Sequence, residues 1–239
     1  MTTIGDVARH AGVAASTVSY VLSGKRPVSE QTRHRVQHSI DAVLIGVPAD
    51  TAGLDCIDLD FAEAGRLCVQ HLGELGHREV AFIGEAEGVY QRRAGFAMRT
   101  LAGITAGAAS RGMDLVHRPC AGSYEAVAGA LARILEERPR TTGLIVQNEA
   151  VIPPLLGLLR TAGRTVPEDM SIVAVCPDQI AAQTSPQLSS VNMPAAELGS
   201  GAVQMLMGRM NDGRSPGVTL LRPLLTVRGS TAHAKERNL

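Results

Sequence analysis

Tryptophan is absent from this 239-residue chain, and aromatic residues make up only 3% of it. The core must rely on Ala, Val, Leu and Ile, which suits helices packed on a parallel sheet better than a β-sandwich. Net charge is zero, so the whole chain is no polycation. The four cysteines, Cys56, Cys68, Cys120 and Cys176, lie far apart, with no C-x-x-C and no Cys/His cluster. That argues against a zinc site and against a disulfide framework, and for buried thiols in a reducing cytoplasm. No stretch approaches the ~20 apolar residues of a membrane span. The opening MTTIGDVARHAG has no basic segment followed by an apolar run, so it reads as no signal peptide. GxGxxG, Walker A, G-x-S-x-G and HExxH are all missing, so no enzyme, cofactor or metal is expected.

What is present divides unevenly. Through Asp41 the chain carries Arg9, Lys25, Arg26, Arg33 and Arg35 against Asp6, Glu30 and Asp41, a net of +2 with three histidines besides. Ile4, Val7, Ala8 and Ala11 make one apolar face of a short helix, capped by a Thr3-x-x-Asp6 box and ended by Gly12. A second helix is predicted over Ala15–Leu22, with Val18, Val21 and Leu22 inward and Gly24 as its left-handed cap. Ser29 opens a third, on which Val36 and Ile40 point one way. Two short helices joined by a tight glycine turn make a helix-turn-helix, whose second helix would enter the major groove of DNA. Its outward positions, Ala15, Ser16, Ser19 and Tyr20, can touch a thymine methyl, a base edge or a phosphate, while Lys25 and Arg26 suit phosphate. A three-helix cap that binds nothing satisfies the same spacing equally well.

From Val43 onward, strand and helix patterns alternate. VLIGV reads as a buried strand, FAEAGRLCVQHLGELG as an amphipathic helix and REVAFIG as a strand. QRRAGFAMRTLAGITAGAASRG reads as one long helix and DLVHRPC as a strand. SYEAVAGALARILEERP, TTGLIVQ, a helix to about Gly163, SIVAVC, AAELGSGAVQMLMGRMNDG and a final strand VTLLRPLLTVRGS complete the series. Such repetition means a parallel, doubly wound sheet, with ligands bound beyond the carboxyl ends of its strands. His71 and His77 read as partly solvated structural residues. Asp58 and Asp60, at a strand end, could do acid/base work, but polar lining of a binding cleft is the better expectation.

The segment TIGDVARHAGVAASTVSYVLSGKRPVSEQTRHRV resembles the DNA-binding headpiece of the LacI (lac repressor) family, whose pattern is roughly T-I-x-D-V-A-x-x-A-G-V-S-x-x-T-V-S-x-V-L-N followed by V-S-x-x-T-R-x-x-V. The resemblance implies base-reading positions at Ala15, Ser16 and Tyr20, and backbone-contacting ones at Thr17, Ser19, Arg26 and Ser29. Ala14 replaces the usual Ser cap of the recognition helix, a change that could cost roughly 1 kcal/mol, and Ser23 replaces the common Asn. HLGELGHREVAFIG, Arg92-x-x-Gly95-Phe96, VPEDMSIVAV and LSSVNMP resemble the sensor half of the same family. This implies a periplasmic-binding-protein-like domain of two lobes whose cleft takes a sugar or purine-like effector. By the same resemblance Arg92 clamps the ligand, with Asp60, Glu63, Asn148 and Glu149 as polar partners. The family's Asp-Asp after the SIVAV-type strand is here Cys176-Pro177, with Asp178 one place on, and Pro153 and Pro154 break the helix after Asn148. These departures point to an effector other than a standard sugar bound in the standard way.

The resemblance also shows a gap. The family's hinge helix, which inserts in the minor groove, and the first half of the sensor's first lobe have no counterpart, because SIDAVLIGV leads straight into a core strand. The expected architecture is therefore α/β: a three-helix helix-turn-helix headpiece over 1–42 and a truncated doubly wound domain over 43–239. Its incomplete first lobe should expose apolar surface. The functional expectation is a cytoplasmic DNA-binding repressor with a double-stranded operator, a small-molecule effector such as a sugar, a possible homodimer and no membrane partner. The alternative is a small-molecule-binding module whose DNA regulation the deletion has altered or abolished. An enzyme relying on Asp60 or Glu63 is the remote third.

Overall fold

The structure, a computed structural model, describes residues 3–23, 26–37, 42–48, 51, 53–212 and 216–235. These form two compact units, one of residues up to Asp58 plus Ala195–Leu221 and the other of Leu59–Pro194 plus Arg222 onward.

In the first unit, α1 (Ile4–Ala11) begins with the expected capping box. Thr3 Oγ1 accepts from the Asp6 amide at 3.2 Å, and Asp6 Oδ2 accepts from the Thr3 amide at 2.9 Å. Gly12 closes the helix at φ 62°, a left-handed conformation that favours glycine. Helix α2 (Ala15–Ser23) and helix α3 (Glu30–Gln37) follow. Val7, Ala8, Ala11, Val18 and Val36 are buried together, with Val13 and Val21 packed against them. The expectations for the Leu22 side chain, Gly24, Lys25 and Ile40 lie outside the described residues.

The same unit holds β1 (Val43–Ile45) beside β2 (Asp55–Leu59). The two pair in parallel, Val43 opposite Asp55 and Ile45 opposite Ile57. VLIGV is thus a short edge strand rather than a buried one, with Ile45 60% exposed. The buried strand is β2.

In the second unit, α4 (Phe61–Glu74) leads to β3 (Glu79–Gly84), then α5 (Glu87–Gln91) and α6 (Gly95–Ser110). The single long helix expected over 91–112 is broken here. Arg93 takes φ 55°, and its amide and that of Ala94 bond back to Tyr90 and Val89. That is a left-handed helix end, normally a glycine's place. The series continues through β4 (Asp114–Pro119), α7 (Tyr124–Glu137), β5 (Gly143–Val146), a 3-10 turn (Glu149–Val151), α8 (Ile152–Thr161), β6 (Ser171–Val175), α9 (Asp178–Gln183) and β7 (Ser189–Val191). Pro153 and Pro154 start α8 instead of breaking it, since a proline in a first helical turn forfeits no internal bond.

The chain then supplies α10 (Ala195–Asp212) and β8 (Val218–Leu221) to the first unit, and β9 (Leu225–Thr226) to the second. The final strand expected over 218–230 is therefore two strands in two sheets. One sheet is three-stranded, in the order β1-β2-β8; the other is six-stranded, β4-β3-β5-β6-β7-β9, parallel except for β9. In the first unit, α10 approaches the sheet at Gly201, where a Cβ would lie 2.5 Å from Ile57 Cδ1. Arg209 and the Gly217 amide both bond to buried Asp55. Ile45, Val203, Met207, Val218 and Leu220 remain exposed, as expected of an incomplete lobe.

The six-stranded sheet is apolar on both faces, as a doubly wound sheet requires. Ala81, Ile83, Leu144, Val146, Ile172 and Ala174 join the layer of α7 and α8. Val80, Phe82, Ile145, Val173 and Val175 join that of α4 and α6. Helices α4 and α6 cross through glycines. A Cβ on Gly103 would lie 1.9 Å from the Ala62 carbonyl oxygen, and one on Gly65 2.5 Å from that of Thr100.

The segment after β9 is stapled to the amino-terminal ends of the strands. Ser230 Oγ donates to Ile172 O, and the Ala234 amide bonds to Leu75 O. His77 Nε2 lies 3.1 Å from Ala232 O and its Nδ1 2.8 Å from Thr142 Oγ1, while His71 Nε2 lies 2.9 Å from Thr231 Oγ1. The two histidines are structural, as expected, but buried rather than partly solvated.

Gly103→Val should cost about 2 kcal/mol or more, because backbone rather than a mobile side chain blocks the new atoms; urea melts followed by circular dichroism would measure it. Burial pushes the pKa of both His71 and His77 below its ordinary value. The unfolded chain then takes the proton more readily, so this part of the stability is full above pH ~6.5 and drains away as pH falls below it. Urea midpoints should decline from pH 7 to pH 5, and His77→Gln should flatten that decline.

Candidate functional site

Two sets of side chains were singled out by the sequence, one on the headpiece and one on the second unit. On the headpiece, Ala15, Ser16 and Ser19 are exposed along one face of α2, while Thr17 and Tyr20 are half-buried at its margins. The Arg26 guanidinium sits 5.2 Å from the centre of the Tyr20 ring, a cation–π contact that ties the following turn to this face. Ser29 caps α3, accepting from the Thr32 amide at 3.3 Å. Lys25 lies outside the described residues. Ala14 offers the start of α2 only its carbonyl, which accepts from Thr17 and Val18.

The residue that sequence reasoning missed here is Arg35. Its Nε and Nη2 donate to Ala11 O at 3.0 and 2.6 Å, and Nη2 also donates to Gly12 O at 2.9 Å. One guanidinium thus occupies carbonyls left over at the end of α1 and pins α3 to the turn of the helix-turn-helix. Nothing in the local pattern separates it from the neighbouring basic residues.

In the second unit the chosen residues lie at the carboxyl-terminal edge of the sheet, where parallel strands hand over to helices. Asp60 caps α4 by accepting from the Glu63 amide at 3.0 Å. Glu63 binds Arg66 through both oxygens, and those bonds hold its carboxyl below the usual range. Arg92, after α5, is exposed and makes no ion pair among the described residues. Asn148, after β5, donates to Cys120 O at 2.8 Å and accepts from the Ala150 amide at 3.1 Å, so its amide bridges the ends of β5 and β4. Glu149 starts the 3-10 turn.

Asp178, after β6, is held by three groups. Arg228 donates to its Oδ1 at 2.8 Å, Ser190 donates to the same oxygen at 3.2 Å, and its amide donates to Asn192 Oδ1 at 3.0 Å. Arg228 also donates to Leu188 O and to Ser190 Oγ. Asp60 with Glu63, Arg92, Asn148 with Glu149, and Asp178 thus share an edge, but among the described residues no hydrogen bond joins one group to another.

Further polar residues gather at this edge without having been singled out. Tyr90 Oη accepts from the Glu85 amide and lies 3.2 Å from His117 Nε2. The His117 ring stacks on Phe82 with centroids 5.0 Å apart. Gly84 makes room for both, since a Cβ there would lie 2.1 Å from Tyr90 Oη. Burial, aided by the Glu149 charge, raises the Glu85 carboxyl pKa. Cys68 and Cys176 are both pushed up to about 12, chiefly by burial, and so remain thiols. Among the described residues, no group of three or more His, Cys, Asp and Glu side chains is placed to hold a metal ion.

Two family profiles match the chain. That of bacterial regulatory proteins, lacI family, covers residues 3–43, and that of the periplasmic binding protein-like domain covers residues 69–231. The chain belongs to the LacI family of regulators. Among its relatives, the HTH-type transcriptional regulator CelR of Thermobifida fusca is 27% identical over 74% of the LacI-family chain and 51% of its own length. The arabinose metabolism transcriptional repressor of Geobacillus stearothermophilus is 30% identical over 74% of the chain and 49% of its own length. The chain therefore spans about half the length of the curated relatives it matches.

Solved structures agree on the fold. A CelR–cellobiose complex aligns with a TM-score of 0.65 at 19% identity, covering 96% of this chain and all of that one. A LacI-family regulator from Enterococcus faecium with bound ribose gives 0.73 at 20% identity, covering 87% and 77%. At such identities the likeness concerns the fold alone.

Arg35→Ala should destabilise the headpiece by about 1.5–3 kcal/mol, the scale of a hydrogen-bonded charge. Faster amide exchange throughout α1–α3, with exchange in β3–β6 unchanged, is the expected result.

Proposed function

We infer that this chain is a DNA-binding transcriptional regulator of the LacI type that responds to a small polar effector such as a sugar. The observation that carries the reading is the exposed face of α2, formed by Ala15, Ser16 and Ser19 within a stretch matching the lacI family profile. The domain reading that goes with it assigns 1–42 to DNA and 43–239 to effector binding, in a cytoplasmic protein acting on a double-stranded operator.

In this reading α2 lies in the major groove. Short side chains at its start bring the helix close to base edges, read by Ala15, Ser16 and Tyr20, while Thr17, Ser19, Arg26, Ser29 and Lys25 are assigned to the phosphates. The effector site is the carboxyl edge of the second unit. Arg92 supplies a planar fork of donors, and Glu149 and Asp60 supply acceptors, a set suited to hydroxyl or carboxylate groups. Asn148 holds the loop after β5 through Cys120 O, and Asp178, whose Oδ1 takes Arg228 and Ser190, keeps a half-exposed carboxylate at the same edge as a further acceptor. Relatives in this family carry names that include CelR and an arabinose metabolism repressor, and two structural neighbours hold cellobiose and ribose. That supports a sugar-like effector.

Operator binding by two headpieces needs a dimer, and the exposed apolar residues of the first unit offer surface for one. Only five sequence positions, 38–42, separate Gln37 of α3 from Val43 of β1, fewer than the hinge helix that the family resemblance implies would need.

The test is fluorescence anisotropy of the purified chain on DNA from its own promoter and on scrambled DNA, at two salt concentrations. The expected result is binding that prefers the promoter and keeps that preference at the higher salt. Equal, weak binding to both DNAs, abolished by salt, is the signature of phosphate contacts alone, and would leave a ligand-binding module without DNA regulation. Calorimetric titration with cellobiose, ribose and lactose tests the other half: Arg92→Ala should weaken any response by about tenfold or more.

A further inference from the structure

A cavity of about 320 Å³ lies at the opposite edge of the second unit's sheet. It sits by the amino-terminal starts of β6 and β7, remote from Asn148 and Asp178 at the carboxyl edge. Leu156, Val166 and Pro186 supply apolar wall, and Arg160 and Arg164 supply positive charge. Its size falls at the lower end of the ~300–1,000 Å³ usual for small-molecule pockets.

Hydrogen bonds within the loops fix these walls. Helix α8 ends at Gly163, φ 68°, and the Arg164 amide donates back to Leu159 O at 2.9 Å. In the next loop the Thr165 amide and hydroxyl donate to Asp169 Oδ2 at 3.0 and 2.5 Å, while the Asp169 amide returns to Thr165 O. On the far wall Thr184 Oγ1 bonds to Ala181 O and Pro186 O and accepts from the Leu188 amide. The pocket is therefore formed before anything enters it, which lowers the ordering cost of binding.

The charges do not cancel. Asp169, next in sequence to the lining, is tied to Thr165 and Lys235. Glu168, an exposed residue, is the one acid of the lining against these two arginines. Neither Arg160 nor Arg164 makes an ion pair among the described residues, and Arg164 is half-buried. A half-buried guanidinium with no partner, beside apolar wall, is completed by an anion that brings its own apolar body.

We propose that this cavity is a second small-molecule site of the chain, taking an organic anion with a carboxylate or phosphoryl head held by Arg160 and Arg164 and an apolar body against Leu156, Val166 and Pro186. It is separate from the effector edge in both place and chemistry, because here the charge is cationic and the lining largely apolar.

The test uses the full chain with benzoate, phenyl phosphate and neutral benzyl alcohol as probes, followed by calorimetry and ligand-observed NMR. Both anions should bind once per chain, and benzyl alcohol about tenfold more weakly or worse. Arg160→Gln and Arg164→Gln should each weaken phenyl phosphate about fivefold or more, and Arg92→Ala should leave it unchanged. Ser185→Trp, at an exposed lining position, should block both anions; thermal melts would establish that each variant folds. The proposal is overturned if no probe binds by about 10 mM, if benzyl alcohol matches the anions, if the two glutamine variants bind normally, or if Arg92→Ala removes the binding.

Discussion

The crossing of α4 and α6 is the constraint on which the second unit depends. Its closest approach puts Gly103 against the Ala62 carbonyl with no room for a β-carbon, and Gly65 meets Thr100 in the same way. Helices this close leave no room for a side chain at the crossing. Helix α4 begins at Asp60, and α6 begins just after Arg92, so the crossing also sets where these two candidate effector residues stand. Phe61 and Phe96, at the starts of the two helices, pack with ring centroids 5.8 Å apart and fix their mutual rotation. The Phe in the Arg92-x-x-Gly-Phe stretch therefore serves the position of the Arg.

Much of the fold was legible in the sequence because it is local or periodic. The Thr3–Asp6 box, the Gly12 end of α1, the inward Val7, Ala8 and Val18, and the run of β3 to β6 with helices between them all follow from spacing of 3.6 or 2 residues. The misreadings have physical causes of one kind. Helices α5 and α6 read as one because Arg93 stands at a left-handed position where glycine would have marked the break. Residues 218–230 read as one strand because β8 and β9 share a composition, and only pairing decides that they join different sheets. VLIGV reads as buried because an apolar run does not reveal how many neighbours its strand has.

For the candidate sites the sequence marked residue types, and the structure adds where each stands and what it touches. Arg92 and the outward face of α2 lie open, as their chemistry asks. Asn148 and Asp178 lie at the same edge, where Asn148 bonds to Cys120 O and Asp178 Oδ1 takes Arg228 and Ser190. Arg35 and Arg228 went unmarked because their partners are distant in sequence, and for both the fixing contacts include backbone carbonyls. A carbonyl is present at every position, so no residue type announces that contact.

The staple after β9 bears on how the molecule is made. Residues 222–235 leave the ribosome after everything they touch. Until they do, β7 lacks its β9 neighbour, and the amino-terminal ends of the strands lack Ser230, Ala232 and Ala234. During synthesis the second unit therefore waits as an open sheet with an unpaired edge, the state in which nascent chains are captured by chaperones or by one another. The interruption by α10 and β8, which belong to the other unit, prolongs that wait by the time needed to translate residues 195–221. The second unit's sheet is thus completed only after a stretch that contributes no strand to it.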